Sequence, residues 1–539
     1  MDVDVHMQQK PIEPLSHTQP SNTPLNTIVV VGCGLYAWTV AACLARRLYK
    51  TPTKVMVVEE LNAPVDNLGE STLPAIDYFH RVLGLTERQL MAVTKGTYKL
   101  ATEYVLPDST LAAETSQSNV FYHAMSPYGS VIDNIAFQHH LTKAKRAGVP
   151  IDLNRFSLPA AAAGKGKFGL PQAGAQNLPF SYAIHVDAKR YAAGMKDFAK
   201  KLGATSVVGE ISAVKTVNIG SENDKQCTHI QSICLDNTQH ISADLFIDCT
   251  AHSRLIDQAL QVGFVDYSDY LPCDNSIQYV TDNKPKPKAT TQINPNQAGF
   301  NLNFPLQAQT VNEYHYSSAH QTQEEALASL DLDSAALETV IFRQQKSQRV
   351  ASFWVGNCVA MGDAAGSLGR IAASNFHLVQ SAVLRLIDLL PDRSLNEHVE
   401  CPSRDEYNNL CEEEYARVLD YHCAYFALLA REKAPIDSPF WRAQTQAKCP
   451  ESLMHKMKLF EQTGRFPFYE RETFSEKTWL SLFLGLGLWP KEYDRLLDVG
   501  QQNLQDSLDA FEQLAGLIDQ ISDKMPAHYH FLQQFCGAK

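Results

Sequence analysis

A β-branched run, TIVVV at positions 27–31, passes directly into the glycines of GCG and then into YAWTVAACLARRLY at 36–49. A short, continuous apolar run of this kind forms a strand buried on both faces, which belongs inside a parallel sheet. Parallel strands need a crossover, and the 36–49 segment has the helical period and basic end to supply it. A second strand, KVMVVEE at 54–60, closes the unit in about 35 residues and ends in carboxylates. The turn between strand and helix has the shape a pyrophosphate needs. Gly32 makes the bend, Gly34 clears a side chain from the main-chain N–H groups, and the small Ala37 lets the helix pack on the strand. The helix N-terminus adds partial positive charge. Glu59, at the end of the second strand, is placed to accept hydrogen bonds from the adenosine ribose hydroxyls.

A second glycine turn lies far downstream. NCVAMGDAAG at 357–366 reads as a strand running into a turn, and FHLVQSAVLRLIDLLP at 376–391 as the helix after it. A late Gly-Asp of this type sets a carboxylate, here Asp363, near the ribityl chain of a flavin, as in enzymes of the glutathione-reductase type. FAD is therefore favoured over NAD. The fold class expected is α/β: a Rossmann-type FAD-binding domain, an interleaved β-sheet region on the substrate side, and a helical C-terminal part. Residues 1–25, rich in Pro, Gln, Ser and Thr, read as a disordered tail. Residues 26–400 form the FAD module with its inserted sheet and loops, and residues 401–539 the substrate-covering helices. Within the module, 148–180 reads as a long loop or lid, 185–204 as a helix capped by Asp187, and 243–250 as a buried strand.

Charge narrows the function classes. Asp and Glu outnumber Lys and Arg by 59 to 47, a net charge of -12, which argues against a duplex nucleic-acid binder. The 12 cysteines are scattered singly, without Cys-x-x-Cys or zinc spacing, and read as reduced thiols. His139 and His140, and His528 and His530, lack partners for a metal site, so no metal is assigned. The longest apolar run, WLSLFLGLGLW at 479–489, is too short to span a bilayer. A protein of the cytoplasm, with no membrane partner, is expected.

Several stretches, in order along the chain, resemble one family. They are VVVGCGLYAWTVAACLARRL, ESTLPAI (70–76), GTYKLATEY (96–104), ADLFIDCTAHSRLI (243–256), SDYLPCDNSI (268–277), GNCVAMGDAAGSLGRIAASNFHLVQSAVLRL (356–386), SPFW (438–441) and GLGLWP (485–490). Together they resemble the flavin-dependent tryptophan halogenases. The resemblance implies FAD delivered as FADH2 by a separate, transient flavin reductase. Its flavin hydroperoxide, formed with O2, is attacked by chloride or bromide. The resulting hypohalous acid travels through a tunnel to a lysine beside a small aromatic substrate. That lysine is Lys99. Flavin contacts are implied at Glu60, Glu70, Ser71, Val208, Asp363 and Phe376, and a halide site on the main-chain N–H groups near Ser374 and Asn375. A homodimer is implied as well.

Two departures bear on activity. The family's essential glutamate lies in Glu-Pro-Leu-Glu-Ser-Thr-Gly, where this chain has GRIAASN (369–375), so Ala372 and Ala373 stand at the glutamate and serine positions. Alanine can neither polarise hypohalous acid nor balance charge on a substrate ring. The family's Trp-x-Trp-x-Ile-Pro signature matches FNLNFPL (300–306), which keeps Phe300 and Pro305 but has Leu302 for a tryptophan. Glu103, four residues after Lys99, is a substitute acid or a surface charge. His377, at an aromatic family position, is a proton shuttle or a packing residue. Three functions stay open at this point: a halogenase acting on an indole, pyrrole or phenol, an FAD monooxygenase, and a non-catalytic flavin binder. The halogenase alone needs both Lys99 and the halide pocket.

Overall fold

The computed structural model describes residues 24–60, 67–106, 119–170, 178–220, 227–282, 286–391, 401–431, 434–499 and 504–537. The expected 1–25 tail lies outside them but for its last two residues. The strand β1 (Thr27–Val31) sits inside a six-stranded sheet, paired in parallel with β2 (Lys54–Glu59) on one side and Leu245–Asp248 on the other. Thr205–Val208 extends the sheet beyond β2, also in parallel. Cys358–Ala360 extends it beyond Leu245–Asp248, and Trp354–Val355 adds an antiparallel edge. Ile28 through Val31 are fully buried, as the unbroken apolar run demands.

The helix α1 (Gly34–Arg47) follows, and every residue from Leu35 to Ala45 is buried. Apolar on all sides, it is sandwiched between the sheet and two helices, Ala188–Lys201 and Ser374–Leu389. Removing each such Val or Leu from water is worth roughly 1.5–3 kcal/mol, which anchors the glycine turn to a rigid core. The polar Thr39 is accommodated by giving its hydroxyl hydrogen to the Leu35 carbonyl, 2.7 Å away.

A second sheet has seven strands, antiparallel except where Thr290–Asn296 lies parallel to Ala101–Val105. It also holds Gly299–Pro305, the strand carrying Phe300 and Leu302. A smaller sheet has three strands: Gly69–Ser71 and Thr97–Lys99 flank Ala183–Asp187, both antiparallel to it. Among the described residues no strand follows Ser367, and the C-terminal part is helical, as expected. The 479–489 run contributes to a buried helix, Glu476–Gly485. No described helix is long and apolar enough to cross a membrane.

Two expectations need correction. The 148–180 segment is not one open loop. Leu153–Phe156 forms a 3-10 turn and Leu158–Gly164 an α-helix, while Phe168 is buried with its ring stacked on Tyr98 at 4.0 Å; residues 171–177 lie outside the described residues. Alanine is the strongest helix former, and Pro159 occupies the first turn, where its missing N–H costs nothing. The 185–204 helix is shorter than expected, because Ala183–Asp187 is a strand. Asp187 is the cap foreseen: its carboxylate accepts the Arg190 N–H at 2.8 Å and starts the helix Ala188–Lys201.

Candidate active site

The glycine turn has the backbone a dinucleotide requires. Gly32 has φ +137°, and a Cβ there would lie 2.8 Å from the Cys249 carbonyl oxygen. Gly34 has φ +72°, and no side chain caps the start of α1. Ala37 is fully buried where the helix meets the strand. At the later turn, Gly362 has φ +61° and a Cβ would press to 2.8 Å on the Tyr36 ring. Asp363 next to it is exposed by area, yet the crowding of neighbours raises its carboxyl above the ordinary aspartate range. A carboxyl that solvent reaches but that is closely surrounded is placed to bond a ligand's hydroxyls. These residues fit FAD.

Not every expected contact presents its side chain. Glu59 is turned toward the helix Ala188–Lys201: Lys196 Nζ donates to both its oxygens at 2.8 and 2.9 Å, and the Trp38 indole N–H donates at 3.2 Å. Trp38 is thereby the residue that positions Glu59, and most of the carboxylate's acceptor capacity is already used. Glu60 pairs with Arg254 at 2.7 Å. Val208 is exposed at the end of its strand, beside Glu59 in register. Phe376 is buried in the core, 5.2 Å from Tyr191 and 6.4 Å from Tyr36 between ring centres, so only its main chain is available to a ligand.

Glu70, Ser71, Leu302, Arg370, Ala373, Ser374 and Asn375 enclose a small hollow. Ser374 and Asn375 begin the helix Ser374–Leu389, and Ala373 before them is left-handed, with φ +55°. No side chain caps this helix start. The Ser374 hydroxyl is instead bonded to His422 Nε2 at 2.8 Å, and the Asn375 side-chain N–H to Ser367 Oγ at 3.2 Å. A helix N-terminus without a side-chain cap suits an anion.

Lys99 lies just beyond this hollow. On the small sheet it stands opposite Ala183, and Ser71 opposite His185. The alanine leaves room for the lysine chain to cross the middle strand. Its Nζ donates to Ser71 Oγ at 3.0 Å and to the Thr72 carbonyl at 3.4 Å. Lys99 is 2% exposed, and burial alone lowers its amine to about 7. A larger cavity of about 240 Å³ opens on its far side. Lys99, Thr102, Tyr104, His123, Ala372 and His377 line one part of that cavity, and Tyr421, Phe474 and Thr478 from the C-terminal helical part line another. Burial lowers His123 to about 4. Ser71 therefore stands in the partition between an anion-sized hollow and an aromatic-lined chamber.

The tryptophan halogenase family model matches residues 27–502. The chain belongs to the tryptophan halogenase family. Tryptophan 6-halogenase ThaL of Streptomyces albogriseolus is 25% identical over 95% of this chain and 99% of its own length. Among solved structures, the flavin-dependent halogenase BrvH from Brevundimonas sp. BAL3 superposes with a TM-score of 0.84 at 29% identity, covering 95% of this chain and 99% of that one. The flavin-dependent halogenase Xcc4156 from Xanthomonas campestris gives 0.85 at 28%, covering 96% and 99%. The chain is thus an oxidoreductase of a flavin-dependent kind.

In this halogenase Ala372 lines the larger cavity, so the glutamate position faces the chamber and is filled by a methyl group. Glu103 does not replace it. Side chains alternate along the strand Ala101–Val105, and while Thr102 and Tyr104 face the cavity, Glu103 points away. Its carboxylate accepts hydrogen bonds from Lys288 at 3.1 Å, Thr290 at 3.0 Å and Gln292 at 3.2 Å. Nor is it a surface charge, being 2% exposed.

Sequence reasoning missed two groups. Arg370, in the stretch read only for its missing glutamate, is buried between Glu70 and Glu313, 2.7 Å from each, and also donates to the Gly69 carbonyl at 2.9 Å. Glu313 is bonded in turn to His315 at 2.8 Å. Burial opposes ionisation of Glu313, but Arg370 and His315 outweigh it and hold the carboxyl below its usual range; at Glu70 burial wins and the carboxyl is raised. The other group is Glu414, on the helix Pro402–Leu429, which is paired with His377 and Arg385. One lone charge in GRIAASN was the only sequence signal for the first. The second sits in a run of three glutamates that nothing but burial distinguishes.

Proposed function

We propose that this halogenase binds FAD at the two glycine turns, accepts it as FADH2 from a separate flavin reductase, and halogenates a small electron-rich aromatic of the indole, pyrrole or phenol type. Bound reduced FAD supplies the two electrons with which O2 converts chloride or bromide to hypohalous acid. The chain's own groups do the rest. The N–H groups at Ser374 and Asn375 hold the halide at a positive helix end. Lys99 receives the hypohalous acid across the partition at Ser71. As a neutral amine it donates its two hydrogens to Ser71 and Thr72 and keeps its lone pair for the chamber; the lone pair takes the halogen, the oxygen–halogen bond breaks, and the departing hydroxide leaves as water with one amine hydrogen, giving a haloamine. Tyr104, Tyr421 and Phe474 supply flat apolar walls for a ring; Tyr421 comes from the helix Pro402–Leu429 and Phe474 from the connection before Glu476–Gly485, both in the C-terminal part proposed to cover the substrate.

One observation carries this reading: Lys99, buried and held by Ser71 Oγ and the Thr72 carbonyl, joins the hollow at the helix start to the aromatic chamber through Ser71. The test supplies the protein with FAD, a flavin reductase, NADH, O2 and bromide or chloride, and screens indoles, pyrroles and phenols by mass spectrometry. Halide-dependent mass gain that disappears in Lys99→Ala is expected. Hydroxylated product formed without halide would overturn the reading.

A further inference from the structure

The half-buried His377 pairs with the buried Glu414 at the wall of the aromatic chamber, on two different helices. His377 lies in the first turns of Ser374–Leu389 and lines the same cavity as Lys99 and Ala372. Its Nε2 is 3.3 Å from one oxygen of Glu414, while the other oxygen accepts from Ser381 at 2.7 Å and Arg385 at 2.5 Å. Burial opposes ionisation of Glu414, but His377 and Arg385 outweigh it and hold the carboxyl at about 2. An ionised carboxylate fixed in this way selects the imidazole tautomer that carries its hydrogen on Nε2. The second nitrogen, Nδ1, then holds a lone pair, and it is buried with no hydrogen-bond partner. A buried polar atom without a partner costs about 1–3 kcal/mol, so its retention calls for an explanation.

We infer that His377, oriented by Glu414, is the proton acceptor of the halogenation, doing from the neighbouring turn what no side chain does at Ala372. The inference rests on the halogenase reading above. The ring carbon of the aromatic substrate attacks the halogen of the haloamine at Lys99. The nitrogen–halogen bond breaks, its electron pair stays on the nitrogen, and a carbon–halogen bond forms. The cationic ring then loses the hydrogen on that carbon to His377 Nδ1, and the carbon–hydrogen electron pair restores aromaticity. Glu414 balances the imidazolium so formed. The imidazolium returns its proton to the lysine nitrogen through water in the chamber. The sum is substrate plus hypohalous acid giving halogenated product plus water. His377 is thus a catalytic residue and Glu414 a positioning residue.

The test compares wild type, His377→Gln, His377→Ala, Glu414→Gln and the double variant His377→Ala with Ala372→Glu. Both His377 variants should lose about 10²-fold or more in turnover while binding FAD normally, the usual scale for a general base. With ring-deuterated substrate, His377→Ala should show a primary isotope effect that the wild type lacks. Restoring glutamate at 372 should recover part of the rate. Independently of turnover, nitrogen NMR of histidine-labelled protein should place the His377 hydrogen on Nε2, and Glu414→Gln should abolish that preference. Wild-type turnover in a folded His377→Gln, or an unchanged tautomer in Glu414→Gln, would overturn the inference while leaving the halogenase reading intact. A wild type that yields no halogenated aromatic would overturn both.

Discussion

Lys99 Nζ lies 3.0 Å from Ser71 Oγ, though the two residues belong to the outer strands of a three-stranded sheet with another strand between them. The reach is possible because the residue opposite Lys99 is Ala183, which is fully buried. A branched or larger residue there fills the path of the lysine chain. The connection between hollow and chamber therefore depends on one small side chain in a strand, Ala183–Asp187, whose last three residues the sequence patterning had placed at the start of a helix.

The buried amine has a thermodynamic signature. Lys99 is lowered from 10.5 to about 7 by desolvation. Between these values the unfolded chain binds the proton and the folded chain does not, so stability rises with pH across that window, and below about pH 7 the full cost of the buried ammonium is present. Lys99→Met should therefore stabilise the fold on the order of 4 kcal/mol near pH 6, less whatever Ser71 and Thr72 lose as partners, with the gain shrinking toward pH 10. Urea denaturation at several pH values measures it. The haloamine role adds that turnover climbs through pH 7 as the amine becomes neutral, with His123 and His185, its buried neighbours, uncharged throughout.

Arg370 should be required for folding more than for chemistry. Its loss leaves Glu70 buried without its cation and Glu313 with His315 as its remaining partner. Arg370→Met is expected to cost about 3–5 kcal/mol, read as a lower denaturation midpoint, because breaking a buried pair strands its partners. Adding Glu70→Gln to it should recover a substantial part.

The glycine turn is tested by Gly32→Ala. At φ +137° any side chain is strained, and this Cβ would meet the Cys249 carbonyl at 2.8 Å. FAD affinity should fall at least tenfold, measured by quenching of flavin fluorescence, with the secondary-structure content unchanged by circular dichroism.

Glu103 gives the contrasting case. Because its carboxylate faces Lys288, Thr290 and Gln292 rather than the chamber, Glu103→Gln should change turnover less than twofold. The same change should lower stability by about 1.5–3 kcal/mol, the range for a hydrogen bond to a charged group.

Local pattern by itself determined the βαβ unit, both glycine turns, the cap at Asp187 and the helical C-terminal part. Each is set by short-range chemistry: an apolar run that must be covered, a positive φ that needs glycine, a carboxylate that meets the next turn's N–H. Resemblance supplied Lys99 and the helix start at Ser374. Composition misled at 148–180, where alanines built a helix despite the neighbouring glycines and prolines. Only the tertiary structure decided which charges meet. Glu59 belongs to Lys196 and Trp38, Glu103 faces away from the chamber, Arg370 joins residues from two other stretches, and Glu414 reaches His377 from another helix. Nothing local separates a buried carboxylate from a solvated one, because the energy that distinguishes them comes from partners distant in the chain, and those are brought together only when the sheets and helices pack.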